Sequence, residues 1–322
     1  IFDHYCEYFD RKSDNTDLIQ WHYHALSLTN DAHRAGSVYL NSDHIYQILS
    51  RGIIDRSWFP SVFRAGHNTQ RPDSHFFLEQ WIPFDFSNTS FETSEAVNAA
   101  STSRFGDWRR ASKLWRPYNP SHDDYQVEGN CRRYITRCLS VDDWEYSIRL
   151  EDVGEAFKQA DECGASILSF THHDFRDMAP DVAKMRDMIH RCSEEYPDVS
   201  FKYSTAVDAM RAVANVGDVE AIGLSVNLEK NGSSARLVVE AANDIFGPQP
   251  YLALKTKSGE YLWQNFDFDA SNKWSYAFDM DNILIEQIAE IGVASNTITG
   301  LTEVVNLVPE TLEQKTNVLN NG

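Results

Sequence analysis

No stretch of this chain approaches the ~20 consecutive apolar residues that a membrane-spanning helix needs, so a bilayer-spanning helical protein is excluded. The N-terminus, "IFDHYCEYF", has neither the basic start nor the apolar centre of a secretory leader, and it carries no initiator Met. Cysteine is scarce and scattered. Cys6, Cys131, Cys138, Cys163 and Cys192 form no CxxC pair and are too few for a disulfide framework, which points to a reduced, cytoplasmic protein, with a periplasmic or extracellular setting as the alternative. Positive charge is also in deficit. With 29 Lys and Arg against 48 Asp and Glu the net charge is -19, which argues against phosphate-backbone contacts, so no nucleic-acid partner is expected.

What is present is apolar content of 42% over 322 residues, enough for a substantial core and for two domains. The first two thirds alternate short strands with helices. "DLIQWHYH" (17–24), "SVFRAG" (61–66), "WIPFDFS" (81–87), "ASILSFTHHD" (165–174) and "VSFKYST" (199–205) have strand composition. "SDHIYQILSRGI", "LEDVGEAFKQADECG" and "APDVAKMRDMIHRCSEEYP" carry helix start and stop signals, and residues 3–12 read as a helix ahead of the first strand. Strand, helix, strand implies parallel βα units. Beyond about 216 the pattern becomes short alternating strands separated by "KNGSS", "FGPQP" and "KSGE", the composition of a β-sandwich. The expected organisation is a (β/α) domain over 1–216 and a β-sandwich domain over 217–322, with the tail "EQKTNVLNNG" disordered.

Parallel strands place catalytic groups at their carboxyl ends. The first strand delivers His22 and His24, which the two-residue strand period puts on one face, where both imidazoles reach a single ion. The next two deliver Arg64 and Asp85, and the fourth delivers His172, His173 and Asp174. An HxH pair alone is more often two polar strand residues than a ligand pair. The ordered recurrence of such groups at strand ends is what singles these out.

The succession "LIQWHYH", "FRAG", "DFS" and "ILSFTHHD" resembles the polysaccharide deacetylase family, the NodB-homology fold of carbohydrate esterase family four, over residues 1 to 210. The resemblance implies a distorted (β/α) barrel around a divalent metal, usually zinc, and removal of an acetyl or other N-acyl group from an amino sugar, glycan or nucleotide-sugar precursor. It implies His22 as a metal ligand, with His24 standing in for a second histidine that the family places four positions on, where this chain has Leu26. It implies Arg64 as the residue that orients the catalytic base, Asp85 as the group that polarises the catalytic histidine, and His173 as the general acid. Its first motif, a pair of aspartates, is matched only by Asp3 in "IFDHY", separated from His22 by only eighteen residues, too few for the intervening strand and helix. The aspartates are therefore expected on a segment before Ile1, the alternative being that they are lost.

Residues 104–138 fit no regular element and concentrate Trp108, Trp115 and Tyr118 among Arg109, Arg110, Arg116 and further basic residues. Two readings of this segment stand equal. One is a lid on which aromatic faces and arginines bind a carbohydrate carrying an anionic group, with Trp108, Arg109, Trp115, Arg116 and Tyr118 as contacts; the other is a packed surface loop. Rival functions are another HxH metal-dependent amidohydrolase and a non-catalytic glycan-binding protein. A homo-oligomer stays open.

Overall fold

The computed structural model describes residues 2–10, 17–25, 39, 43–90, 106–141, 147–173, 176–232 and 234–320. Among these residues there are six α-helices: α1 (Phe2–Asp10), α2 (His44–Arg56), α3 (Pro72–Trp81), α4 (Leu150–Cys163), α5 (Ala179–Glu195) and α6 (Ala206–Ala214). The chain divides into two compact units, one of Ile1–Ser37, Val62–His75 and Phe84–Val216, the other of Val38–Ser61, Phe76–Pro83 and Gly217–Gly322.

The first unit contains an open parallel sheet of β1 (Trp21–Tyr23), β2 (Val62–Ala65), β3 (Phe84–Asn88) and β4 (Tyr134–Arg137), in that spatial order. Trp21 and Tyr23 turn to the buried side with Phe63 of β2, the Trp21 and Phe63 rings lying 5.2 Å apart, so the strand period sends His22 and Arg64 to the opposite face. The parallel register sets His22 directly beside Arg64. A separate parallel pair joins β5 (Leu139–Ser140) to β6 (Phe170–Thr171). Helices α4 and α5 bury Val153, Phe157, Met185 and Met188 in one cluster with Trp115. The left-handed Gly164, at φ 88°, ends α4 where the sequence places its stop.

The second unit is built of antiparallel ladders. β7 (Leu224–Asn231) and β8 (Ser234–Ala241) join β12 (Lys273–Phe278) and β11 (Asp267–Ala270) in the order β11-β12-β8-β7. The other sheet runs β10 (Tyr261–Gln264), β9 (Tyr251–Thr256), β13 (Ile288–Asn296), β14 (Leu301–Leu307) and β15 (Gln314–Asn320). One core, including Val226, Leu237, Trp274, Leu254, Val293 and Val305, takes side chains from both sheets. Ile45, Leu49 and Ile53 of α2 are buried as well. That helix lies close against the second sheet at Gly292, where a Cβ would stand 2.4 Å from Ile53 Cγ2. Asn306 completes the contact by donating from Nδ2 to the carbonyls of Ile53 and Ile54 in the last turn of the helix at 3.0 and 3.1 Å.

This architecture overturns the expected distorted (β/α) barrel followed by a sandwich. The chain is mostly β and mostly antiparallel. Among the described residues its parallel pairing comprises four strands with β1 and β4 at the edges, plus the two-residue pair β5 and β6. The two segments needed to continue a barrel do not form strands of useful length. Of 165–173 only Phe170 and Thr171 enter a ladder, and 199–205 enters none, with Phe201 and Tyr203 exposed. β-branched and aromatic composition favours a pleated, half-buried environment, and without a neighbouring strand it yields extended chain only. The tail expected to be disordered instead forms β15, paired along its length with β14; residues 321–322 lie outside the described residues.

Candidate functional site

The site grows from the carboxyl ends of β1 and β2. His22 donates from Nδ1 to the carbonyl oxygen of Arg64 at 3.0 Å, because a carbonyl can only accept. This fixes the tautomer: in the neutral ring the lone pair is on Nε2. That Nε2 stands 3.0 Å from Nε2 of His24, with the ring centroids 4.8 Å apart and the planes at 83°. Burial, then the Arg64 guanidinium and the His24 ring, pull the His22 pKa down to about 4, so the ring is neutral at physiological pH. Burial and then His67 lower His24 as well. His173 lies within electrostatic range of both rings.

The turn after β2 supplies what the sequence reading passed over. Gly66 is the position against which the His24 ring packs; a Cβ there would come within 2.4 Å of His24 Cγ. His67 and Asn68 follow in left-handed conformation, both at φ 52°. The His67 ring stands edge-on to His24 with centroids 4.7 Å apart. The signal available in the sequence was the tripeptide Gly66-His67-Asn68, turn chemistry carrying an imidazole directly after a strand.

His22 and His24 form a hydrogen-bonded pair, the N–H of one ring donating to the nitrogen of the other. Two imidazole nitrogens on one tetrahedral zinc stand about 3.3 Å apart, given zinc–nitrogen bonds of about 2.0–2.1 Å, and the observed spacing is 3.0 Å. A ligating histidine whose other nitrogen donates to a backbone carbonyl is the usual outer-sphere arrangement, and His22 has it through Arg64. Among the described residues no group of three or more His, Cys, Asp or Glu side chains stands ready to hold a metal ion. Asp3 is exposed on α1 and is not part of such a group.

Asp85, expected to polarise His173, is fully buried and gives its carboxylate to other groups. Gln70 donates to Oδ2, the Ser87 backbone N–H donates to Oδ1 at 3.0 Å, and Arg133 Nε lies 3.3 Å from Oδ2. Burial raises its pKa against the opposing pull of Arg133. Arg133 also donates to the carbonyl of His75 at 3.1 Å and to Gln70 Oε1 at 3.3 Å, which makes this a charged core beneath the sheet. His172 turns away to Asp181 at the start of α5, Nε2 to Oδ2 2.8 Å, an oxygen shared with Arg176. Asp174 lies outside the described residues.

The aromatic residues of segment 104–138 are interior. Trp108 is buried and donates from Nε1 to the Asn68 carbonyl at 2.7 Å; Trp115 is fully buried under the guanidinium of Arg137, 4.6 Å from the ring centroid; Tyr118 donates to the carbonyl of Tyr125 at 2.9 Å. Arg109 and Arg116 are exposed, Arg109 paired to Asp107 at 2.8 Å. Arg64, whose Nη2 donates to Asn68 Oδ1 at 2.9 Å, lines a cavity of about 790 Å³ with Phe86, Cys138, Ser169, Thr171 and Tyr203. Cavities of this size accommodate drug-sized or sugar-sized ligands.

No family model matches the chain, and no curated protein and no solved structure matches it either. No helix among the described residues is long and apolar enough to cross a membrane.

Proposed function

We propose that the chain is a metal-dependent hydrolase that cleaves the amide of an N-acylated sugar, a distant relative in chemistry of the polysaccharide deacetylases. The observation that carries this reading is the His22–His24 pair, whose facing nitrogens are 3.0 Å apart with the His22 tautomer fixed from behind by Arg64. His22 and His24 would hold a divalent ion, zinc by preference for imidazole donors. When bound, such an ion polarises a carbonyl and lowers the pKa of water. Both histidines meet the requirement that a ligand be unprotonated, since burial disfavours their charged forms. The Arg64 guanidinium stabilises negative charge building on the acyl oxygen. The oxygen of water bonds to the acyl carbon as the C–N bond breaks, and the proton that water releases reaches the leaving nitrogen through His173.

The sugar assignment rests on the motif order in the sequence and on the cavity beside Arg64. An anionic group on the substrate suits the exposed Arg116, a cation on a chain of net charge -19. The test is acetate release from a panel of neutral and anionic N-acetylated amino sugars, with zinc supplied, by the parent chain and by His173→Ala. Turnover on anionic sugars that falls at least about a hundredfold in the variant, within the range for acid–base groups, supports the reading. Turnover unchanged in His173→Ala removes the acid from the scheme, and no turnover on any member counts against deacetylation.

A further inference from the structure

The cavity of about 790 Å³ beside Arg64 lies wholly in the first unit, and its lining joins one half-buried cation to a largely apolar wall. We propose that it holds the alkyl chain of a fatty acyl group, with the carboxyl end of that chain at the Arg64 guanidinium. As a statement about substrate this rests on the reading of the chain as an amide hydrolase, and it makes the substrate an amino sugar with a long N-acyl chain in place of acetyl. Water added across the C–N bond of such an amide gives a fatty carboxylate and a free amine, and the carboxylate is the product that the cavity would retain.

The buried wall suits an alkyl chain. Val62 of β2, Phe86 of β3, Ala156 and Phe157 of α4, and Ile167 line the cavity and are buried, and none has a side chain that can form a hydrogen bond. The nearby hydroxyls are already engaged. Ser166 and Ser169 donate to the carbonyls of Ala156 and Arg137, and Thr205 caps α6 by accepting from the Asp208 N–H. A sugar ring pressed against this wall would give up the water on its hydroxyls and gain no partner, whereas each methylene placed there leaves water at a profit. The space itself comes from small side chains, Ala156 and Ala160 one turn apart on α4 and Ala206 and Ala209 on α6.

The outer lining continues the same surface. Phe170, Phe201 and Tyr203 line the cavity and are exposed. The Phe201 ring lies 6.1 Å from Phe157 and 6.0 Å from Tyr203, so aromatic surface runs from solvent to the buried wall. Exposed apolar side chains gathered in this way mark a place that an apolar ligand covers. The charged groups of the lining other than Arg64 are Asp161, Asp198 and Lys202, all exposed, where the hydroxyls of a sugar stay in water.

Arg64 fixes the head of the chain. Its Nη2 donates to the Asn68 side chain at 2.9 Å, its Nε is buried without a hydrogen-bond partner, and among the described residues no carboxylate pairs with it. A guanidinium so placed is matched by a carboxylate, or by the acyl oxygen on which negative charge builds.

The experiment is calorimetric titration of the full chain, without added metal, with octanoate, decanoate and dodecanoate below their micelle concentrations, and with dodecanol as the uncharged control. Affinity should rise about fourfold for each added methylene, the equivalent of about 0.8 kcal/mol per buried CH₂. Arg64→Gln, which keeps an amide for Asn68, should weaken dodecanoate at least about tenfold, the loss of a hydrogen bond between charged groups, and leave dodecanol unchanged. Ala209→Phe, which fills the cavity from α6, and Phe201→Ala, which trims its exposed edge, should weaken both ligands, with far-UV circular dichroism as the folding control. Affinity independent of chain length, or dodecanoate bound as in the parent by folded Ala209→Phe and by Phe201→Ala, would overturn the inference. Turnover is read separately on N-acetylglucosamine and N-dodecanoylglucosamine. Turnover of the acetyl sugar with no binding of any fatty carboxylate would overturn the inference and leave the hydrolase reading intact. Chain-length-dependent binding with turnover of neither sugar would overturn the hydrolase reading and the substrate assignment, and would support the ligand assigned to the cavity.

Discussion

The carbonyl oxygen of Arg64 accepts the Nδ1 proton of His22 at 3.0 Å, so the backbone of β2, and not a side chain, sets the His22 tautomer. Arg64 thereby acts twice, through its carbonyl on a histidine and through its guanidinium on the cavity. The two roles separate in Arg64→Gln, which keeps the carbonyl and an amide donor for Asn68. Zinc affinity by chelator competition should stay within about tenfold of the parent, while deacylation falls by about a hundredfold, the usual loss for one oxyanion-stabilising group. Equal losses in affinity and turnover would contradict the separation.

Gly66→Ala tests the packing of the His24 ring without touching a donor. The added methyl would lie 2.4 Å from His24 Cγ, so the ring must leave its place beside His22. Zinc affinity should drop as far as in His24→Ala, with the unfolding free energy lowered by the roughly 1–3 kcal/mol typical of overpacking. Parental affinity in Gly66→Ala would show that the ring position is unimportant for binding.

The charged core around Arg133 makes stability depend on pH. His75 is buried against Arg133, and burial first, then the guanidinium, bring its pKa down to about 4. The unfolded chain has this group near 6.5, so between the two values it binds more protons than the folded chain, and stability is full above about 6.5 and lost as pH falls toward 4. Urea unfolding at pH 7.5 and at pH 4 should show this loss reduced by up to about 3 kcal/mol in His75→Gln. An identical pH dependence in the variant would place the acid sensitivity elsewhere.

In the antiparallel unit, Gly292 and Ile53 are coupled. Gly292→Ala sets a methyl 2.4 Å from Ile53 Cγ2 and should cost about 1–3 kcal/mol, while adding Ile53→Ala removes the clashing methyl and should recover part of that loss. Additive losses in the double variant, read by thermal melts, would mean that helix α2 does not bear on the sheet at this point.

How far the sequence reveals this molecule depends on what each segment leans on. β1 is legible because it has a buried side and a polar side, as Trp21, His22 and Tyr23 show in three residues, while β2 and β3 are legible from their short apolar and aromatic composition. α2, α4 and α5 are legible through their apolar spacing and end signals. The barrel is not, because 199–205 has strand composition with no ladder to join. β13 and β14 escape an alternation test for the opposite reason, being buried on both sides along most of their length. At the site, the pairing of His22 with His24 follows from strand period alone. His67 does not, since a left-handed turn obeys no periodicity, and the buried partnership of Asp85 with Arg133 joins residues 48 positions apart that no local pattern links.

Elemental analysis of transition metal per chain decides whether His22 and His24 bind a metal ion. The parent and the double variant His22→Ala, His24→Ala would be purified alike, equilibrated with zinc, and freed of loosely held metal by gel filtration. If the two histidines bind zinc, close to one zinc per parent chain is expected and none in the variant, with matching circular dichroism. Zinc absent from both, or retained equally by both, would contradict it.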